Sequence, residues 1–139
     1  MYAAVISCGP ATDPRWNPCN GTEADDNMKG DVEYNAMNGL WGNDQMSGGG
    51  SFDSLHGGYG NDQLSSGPGD DLLYGSVGAD TFRCGTGNDR ITDFNPSEGD
   101  TKSNDCENIG YSNHTGVSNE TLTGFPAYLT LSPNILSGQ

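Results

Sequence analysis

The chain has 139 residues, of which 22 are glycine, 7 are proline and only 32% are hydrophobic, enough for one domain with a thin apolar core and no second folded unit. Nineteen acids against five bases give a formal net charge of -14, which argues against nucleic acid as a partner and means that a compact fold repels itself unless cations are bound. No apolar run approaches the roughly 20 residues that cross a bilayer, so no membrane span is expected.

Residues 1–20 contain Pro10, Pro14 and Pro18, which break helices and predict an extended or looped path, with a short strand from Tyr2 to Ser7. Met1-Tyr2-Ala3-Ala4 has the small residues of the end of a leader peptide but not the basic start of one. Trp16 lies between Cys8 and Cys19, and a small disulfide loop carrying one large aromatic is expected to cover the exposed end of the fold that begins at Gly21. We assign residues 1–20 to an N-terminal cap or docking segment.

From Gly21 to Thr92 one nine-residue pattern runs eight times without insertion or deletion. Its eighth place reads Met28, Met37, Met46, Leu55, Leu64, Leu73, Phe82, Ile91, all apolar, and its sixth reads Asp26, Asn35, Asp44, Asp53, Asp62, Asp71, Asp80, Asp89. A fixed period of this kind predicts a solenoid. Six residues of glycine-rich turn followed by three of strand put the apolar residue inside and its chain neighbours outside. Two nonapeptides make one coil, so alternate copies stack on two short parallel sheets, with Met28, Met46, Leu64 and Phe82 on one and Met37, Leu55, Leu73 and Ile91 on the other.

Coils stacked about 4.8 Å apart bring the aspartates of alternate copies together, and carboxylates that close repel. A hard divalent cation between them converts the repulsion into binding. Calcium suits, because it accepts six to eight oxygens in flexible geometry, backbone carbonyls of glycine turns included, whereas magnesium demands a tighter octahedron. Turn chemistry alone accounts for Asp and Gly in loops, but not for an acid in seven of eight in-register positions.

The pattern G-G-x-G-x-D-x-U-x, with U a large apolar residue, resembles the RTX, or haemolysin-type, calcium-binding nonapeptide. Copies beginning at Gly39, Gly48, Gly57, Ser66, Gly75 and Cys84 fit it well, and those at Gly21 and Gly30 are degenerate. The resemblance implies an all-β, right-handed parallel β-roll with several Ca2+ ions, each shared by an aspartate and turn carbonyls of one coil and the turn one coil further on. Carried over, one side uses Asp26, Asp44, Asp62 and Asp80 and the other Asp53, Asp71 and Asp89, with turn carbonyls from Gly42, Gly60, Gly69, Gly78 and Gly87. Glu33 and Ser51 stand where turn glycines belong and Asn35 replaces an acid, so the second side starts poorly.

After the repeats, residues 93–109 look like the segment that closes such rolls, with Asp93 and Asp100 as candidate ligands of a last calcium. The four cysteines, Cys8, Cys19, Cys84 and Cys106, allow three pairings and suggest disulfides formed outside the cytosol. Export is inferred from these cysteines together with the calcium chemistry. We expect local pairing, Cys8 with Cys19 and Cys84 with Cys106, which bridges both terminal caps. Residues 110–139 lose the pattern; Asn113 and Asn119 head glycosylation sequons, as Asn20 formally does, and the apolar residues around Tyr128 to Leu131 suit a docking strand.

Catalysis fails on inventory: the histidines are His56 and His114, neither in a metalloprotease pattern, and there is no nucleophile elbow or phosphate loop. His56 ends a nonapeptide and is expected to face solvent. The remaining expectation is a secreted, non-enzymatic calcium-binding structural protein that polymerises through its terminal segments into a filament or surface layer. The alternative is a calcium-dependent folding, secretion or adhesion module for a separately encoded partner.

Overall fold

A computed structural model describes residues 4–8 and 19–111. Trp16, Asn113, Asn119 and the expected docking strand lie outside these residues. The described chain is a parallel β-solenoid of two six-stranded sheets. The first sheet is ordered β1 (Ala4–Ser7), β3 (Asp26–Lys29), β5 (Gln45–Ser47), β7 (Gln63–Ser65), β9 (Thr81–Arg83) and β11 (Thr101–Lys102). The second is ordered β2 (Cys19–Asn20), β4 (Asn35–Asn38), β6 (Asp53–Tyr59), β8 (Leu72–Val77), β10 (Arg90–Phe94) and β12 (Asn108–Tyr111). Successive strands alternate between sheets, so two nonapeptides make each coil, and the two predicted apolar columns stand in register, Met28↔Met46↔Leu64↔Phe82 and Met37↔Leu55↔Leu73↔Ile91.

The core is these two columns facing each other. All eight residues are at most 2% exposed, and each contributes about 1.5–3 kcal/mol by burial. The columns also run one rung beyond the repeats. Ile6 pairs with Met28, Cys19 with Met37 and Ile109 with Ile91, and all three pack against the core. In the first sheet the last rung is Lys102 opposite Phe82, and it stays exposed. Phe94 instead covers that end, meeting Phe82 and Tyr111 edge-on at 6.1 and 5.7 Å.

The turns explain the glycines. Residues in the second and fourth places of the later copies take left-handed backbone, as at Gly58 (φ 101°) and Gly60 (φ 118°), which a side chain disfavours. Leu40, Ser51 and Ser76 hold the same conformation without being glycine. The first place is governed by space: a Cβ on Gly39 would lie 2.3 Å from Asp44 Oδ2 and 2.5 Å from the Gly57 carbonyl oxygen.

Both expected disulfides are present. Cys8–Cys19 ties the end of β1 to the start of β2, the outermost strands of the two sheets, and Cys84–Cys106 ties the segment after β9 to that before β12. A core this thin has no slack. Leu64→Ala should lower stability by about 2–5 kcal/mol in urea unfolding at saturating calcium; a loss below about 1 kcal/mol would show that the column is not the core.

Candidate metal centre

The aspartates in the sixth place begin or immediately precede their strands, where the chain leaves the turn for the sheet. There each faces the coil before it. The Asp44 carboxylate accepts the backbone N–H of Asp26 through Oδ1 at 2.8 Å, Asp62 that of Asp44 at 2.8 Å, and Asp80 that of Asp62 at 2.9 Å. On the other side Asp53 accepts from Asn35 at 2.8 Å, Asp71 from Asp53 at 2.8 Å, and Asp89 from Asp71 at 2.9 Å. The structure thus gathers the predicted aspartates into two ladders, one along each row of turns.

Each ladder leaves an oxygen over. Oδ2 of Asp44, Asp53, Asp62, Asp71, Asp80 and Asp89 is buried with no hydrogen-bond partner. The spare oxygen of Asp44 and the Gly57 carbonyl oxygen both border the space a Cβ on Gly39 would fill, and Asp53 Oδ2 and the Ser66 carbonyl oxygen border that of Gly48. All four are acceptors. Burial pushes the Asp44 carboxyl up to about 6, and those of Asp53, Asp62, Asp80 and Asp89 up to about 7; neighbouring acids add to the rise, and the backbone N–H bonds oppose it. Asp71 is raised for the same first reason.

A calcium ion fits this donor set: hard oxygens only, charged side chains mixed with carbonyls, and orphaned lone pairs that need a positive partner. Among the described residues the one convergent trio of metal-capable side chains is Cys84, Asp105 and Cys106, whose sulfurs are spent in a disulfide. Carboxylates in the ladders therefore do not converge in threes, and backbone carbonyls must complete any coordination. Gly42, Gly60, Gly69, Gly78 and Gly87 sit in the left-handed turns of these rows.

The first coil is built differently. Asp26 Oδ2 accepts from Thr22 N at 2.6 Å, and the Thr22 hydroxyl bonds the same carboxylate at 3.0 and 3.1 Å. Asn35 Oδ1 accepts from Asp31 N at 2.9 Å, and Asp31 Oδ1 in turn accepts from Glu33 N. Neither oxygen is left over, so this coil makes by hydrogen bonding what the later coils lack.

The closing segment also spends its acids on backbone. Asp93 accepts from Gly75 N and Ser76 N at 3.0 and 2.8 Å, and Asp100 from Asp80 N and Asn95 N at 2.9 and 2.7 Å. Asp100, raised mainly by burial, is the next rung of the first ladder. The next rung of the second is Glu107, whose Oε1 accepts from Asp89 N at 3.1 Å. Glu107 is absent from the ligands expected of the sequence, although it stands eighteen residues after Asp89 and simple continuation of the count finds it. Glu98 and Asp105 likewise accept from Gly78 N and Gly85 N, at 3.3 and 3.0 Å.

A family profile described as RTX calcium-binding nonapeptide repeat (4 copies) matches residues 20–55 and again residues 56–91, together more than half of the chain. The chain belongs to this family. Comparison with curated proteins and with solved structures gave no match to either. RTX nonapeptides bind calcium, which agrees with the oxygen ladders of this roll.

Two outcomes are expected. Asp62→Asn should weaken calcium binding by at least the roughly tenfold that loss of an outer-shell partner costs, whereas Asp26→Asn should change it far less, both read by calorimetric titration; equal effects would deny the difference between the first coil and the rest. The second concerns pH. In the metal-free fold the raised carboxyls bind protons up to about pH 7, but the unfolded chain only near the ordinary value of 3.8, so metal-free stability falls as pH rises through that window. In chelator, circular dichroism should show more β structure at pH 5 than at pH 8, while calcium affinity should fall over the same descent because protons compete for the same oxygens; a flat metal-free profile would contradict the burial of these charges.

Proposed function

We propose that this RTX chain is an extracellular structural protein whose roll is folded and held by calcium between its coils, and which assembles end to end into a filament or surface layer. The observation that carries the calcium part is the set of six buried carboxylate oxygens without partners, three along each row of turns. Bound calcium supplies positive charge between like-charged coils. Asp44, Asp62 and Asp80 would hold it on one side and Asp53, Asp71 and Asp89 on the other, with carbonyls from the turns of Gly42, Gly60, Gly69, Gly78 and Gly87; Asp26, Asp93 and Asp100 serve the same rows mainly as hydrogen-bonding ends. Two disulfides are compatible with an oxidising, extracellular setting.

Assembly is supported by the ends. β1 and β2 are the outermost strands at one end and β11 and β12 at the other, each with one side unpaired by the described chain. All the pairings are parallel, so a second copy added head to tail would continue both sheets in the same sense. Val5 in β1 is 78% exposed. On this reading residues 1–20 cap or dock, 21–92 form the calcium roll, 93–109 close it and 110–139 reach the next subunit.

Adding calcium to chelated protein should produce β structure cooperatively, with several ions bound per chain by calorimetry. An unchanged spectrum in excess chelator would mean that calcium does not hold the fold. Electron microscopy of the same samples tests assembly: filaments or sheets that vanish on chelation are expected, and single particles alone at high calcium would end the assembly reading.

A further inference from the structure

The acid ladders leave one built feature of the surface unexplained. Where the second sheet passes into the turns that follow β4, β6 and β8, a groove runs along successive coils. One coil after another contributes Trp41, Tyr59 and Val77 to it, about half exposed at 51%, 51% and 45%. Trp41 and Tyr59 stack with centroids 4.4 Å apart and planes 15° off parallel. Beside this apolar row lie Asn38 and His56, and His56 Nε2 shares a 2.7 Å hydrogen bond with Ser76 Oγ in the same groove.

The backbone here is strained in favour of side chains. Leu40 (φ 77°) and Ser76 (φ 72°) both occupy the second place of a nonapeptide, where glycine is at ease, and both line the groove. Two of the three non-glycine residues in left-handed conformation among the described residues are thus spent on this one surface. An observed outlier of this kind points to use rather than to folding.

We infer that the groove binds a neutral oligosaccharide, with its C–H groups packed on the exposed parts of the stacked Trp41 and Tyr59 rings and its hydroxyls on Asn38, His56 and Ser76. The chemistry selects this class. The lining mixes exposed aromatics with hydrogen-bonding groups and includes no Lys or Arg, while its one acid, Asp93, is held by the Gly75 and Ser76 N–H groups. It belongs to a chain of net charge -14, so anionic ligands are repelled. Its three coils span about 10 Å from first to third, longer than one sugar ring and in line with an extended chain. The inference rests on the calcium reading to the extent that these coils must be held in register.

The test uses the full chain at saturating calcium, with β structure verified by circular dichroism. Cellohexaose, chitohexaose and mannohexaose are titrated by calorimetry and by ligand-observed nuclear magnetic resonance, with hexagalacturonate as the charged control. At least one neutral hexasaccharide should bind, Trp41→Ala should weaken it by about tenfold or more with dichroism and calcium midpoint unchanged, and the uronide should bind more weakly by a similar factor. The inference is overturned if the folded, calcium-loaded chain binds none of the neutral probes, if Trp41→Ala leaves their binding intact, or if that variant instead abolishes self-association, which would make the groove a contact between copies. Failure to fold with calcium would count against the calcium reading and would appear in the dichroism before any sugar is added.

Discussion

The hydrogen bond from a backbone N–H to the aspartate one coil further on is the interaction the rest of the roll depends on. It satisfies a buried donor that a short strand leaves open, as when Asp62 Oδ1 accepts from Asp44 N. In doing so it draws a carboxylate out of water and into a row of its own kind. Burying unpaired charge is expensive, so the bond solves a backbone problem by creating an electrostatic one. Glycine in the first place lets the carboxylate in, left-handed turns in the second and fourth shape the loop around it, and a cation is what the spare oxygen then requires.

The ends avoid that requirement by different means. At the start, Thr22 and Asp31 supply donors to Asp26 and Asn35, so the side-chain oxygens of the first coil have hydrogen-bond partners. At the finish, Asp93, Glu98, Asp100, Asp105 and Glu107 turn back to cover backbone N–H groups of the last full coil. Each end also carries a disulfide joining parts of the two sheets' terminal coils. The roll is thus a middle whose buried carboxylate oxygens are left without hydrogen-bond partners, set between two ends where the corresponding oxygens are hydrogen-bonded, and the degenerate early repeats supply the donors at the first end.

Most of this was legible in the residues, because a period of nine with an apolar and an acid column leaves few other folds. The pairing of Leu55 with Leu73, or of Leu64 with Phe82, follows from counting by eighteen. Less legible was where counting stops being regular. Ile109 and Glu107 keep the spacing beyond Thr92, but β11 reaches its partner after twenty residues, because the Pro96–Glu98 turn of 3₁₀ helix is inserted before it. Asp93 and Asp100 read as ligands by their charge; only geometry reveals that both oxygens of each are taken by N–H groups. The strained lining at Leu40 and Ser76 was visible as missing glycine, yet its convergence with Trp41 and His56 depends on coils stacking.

The outer side chains of the turns carry a second ladder that runs the other way. Asn61 N–H donates back to Asn43, and Ala79 N–H back to Asn61, whereas the buried aspartates receive from the coil before them. Every inner coil is therefore gripped from both neighbours, by bonds of opposite polarity. Such a roll can lengthen or shorten only by whole coils. Loss of the nine residues 48–56 would carry each later strand to the opposite sheet and set Pro68 where Tyr59 now stacks on Trp41, while loss of eighteen would leave every column intact. The heritable unit of this architecture is the pair of repeats, although the chain is written in single ones.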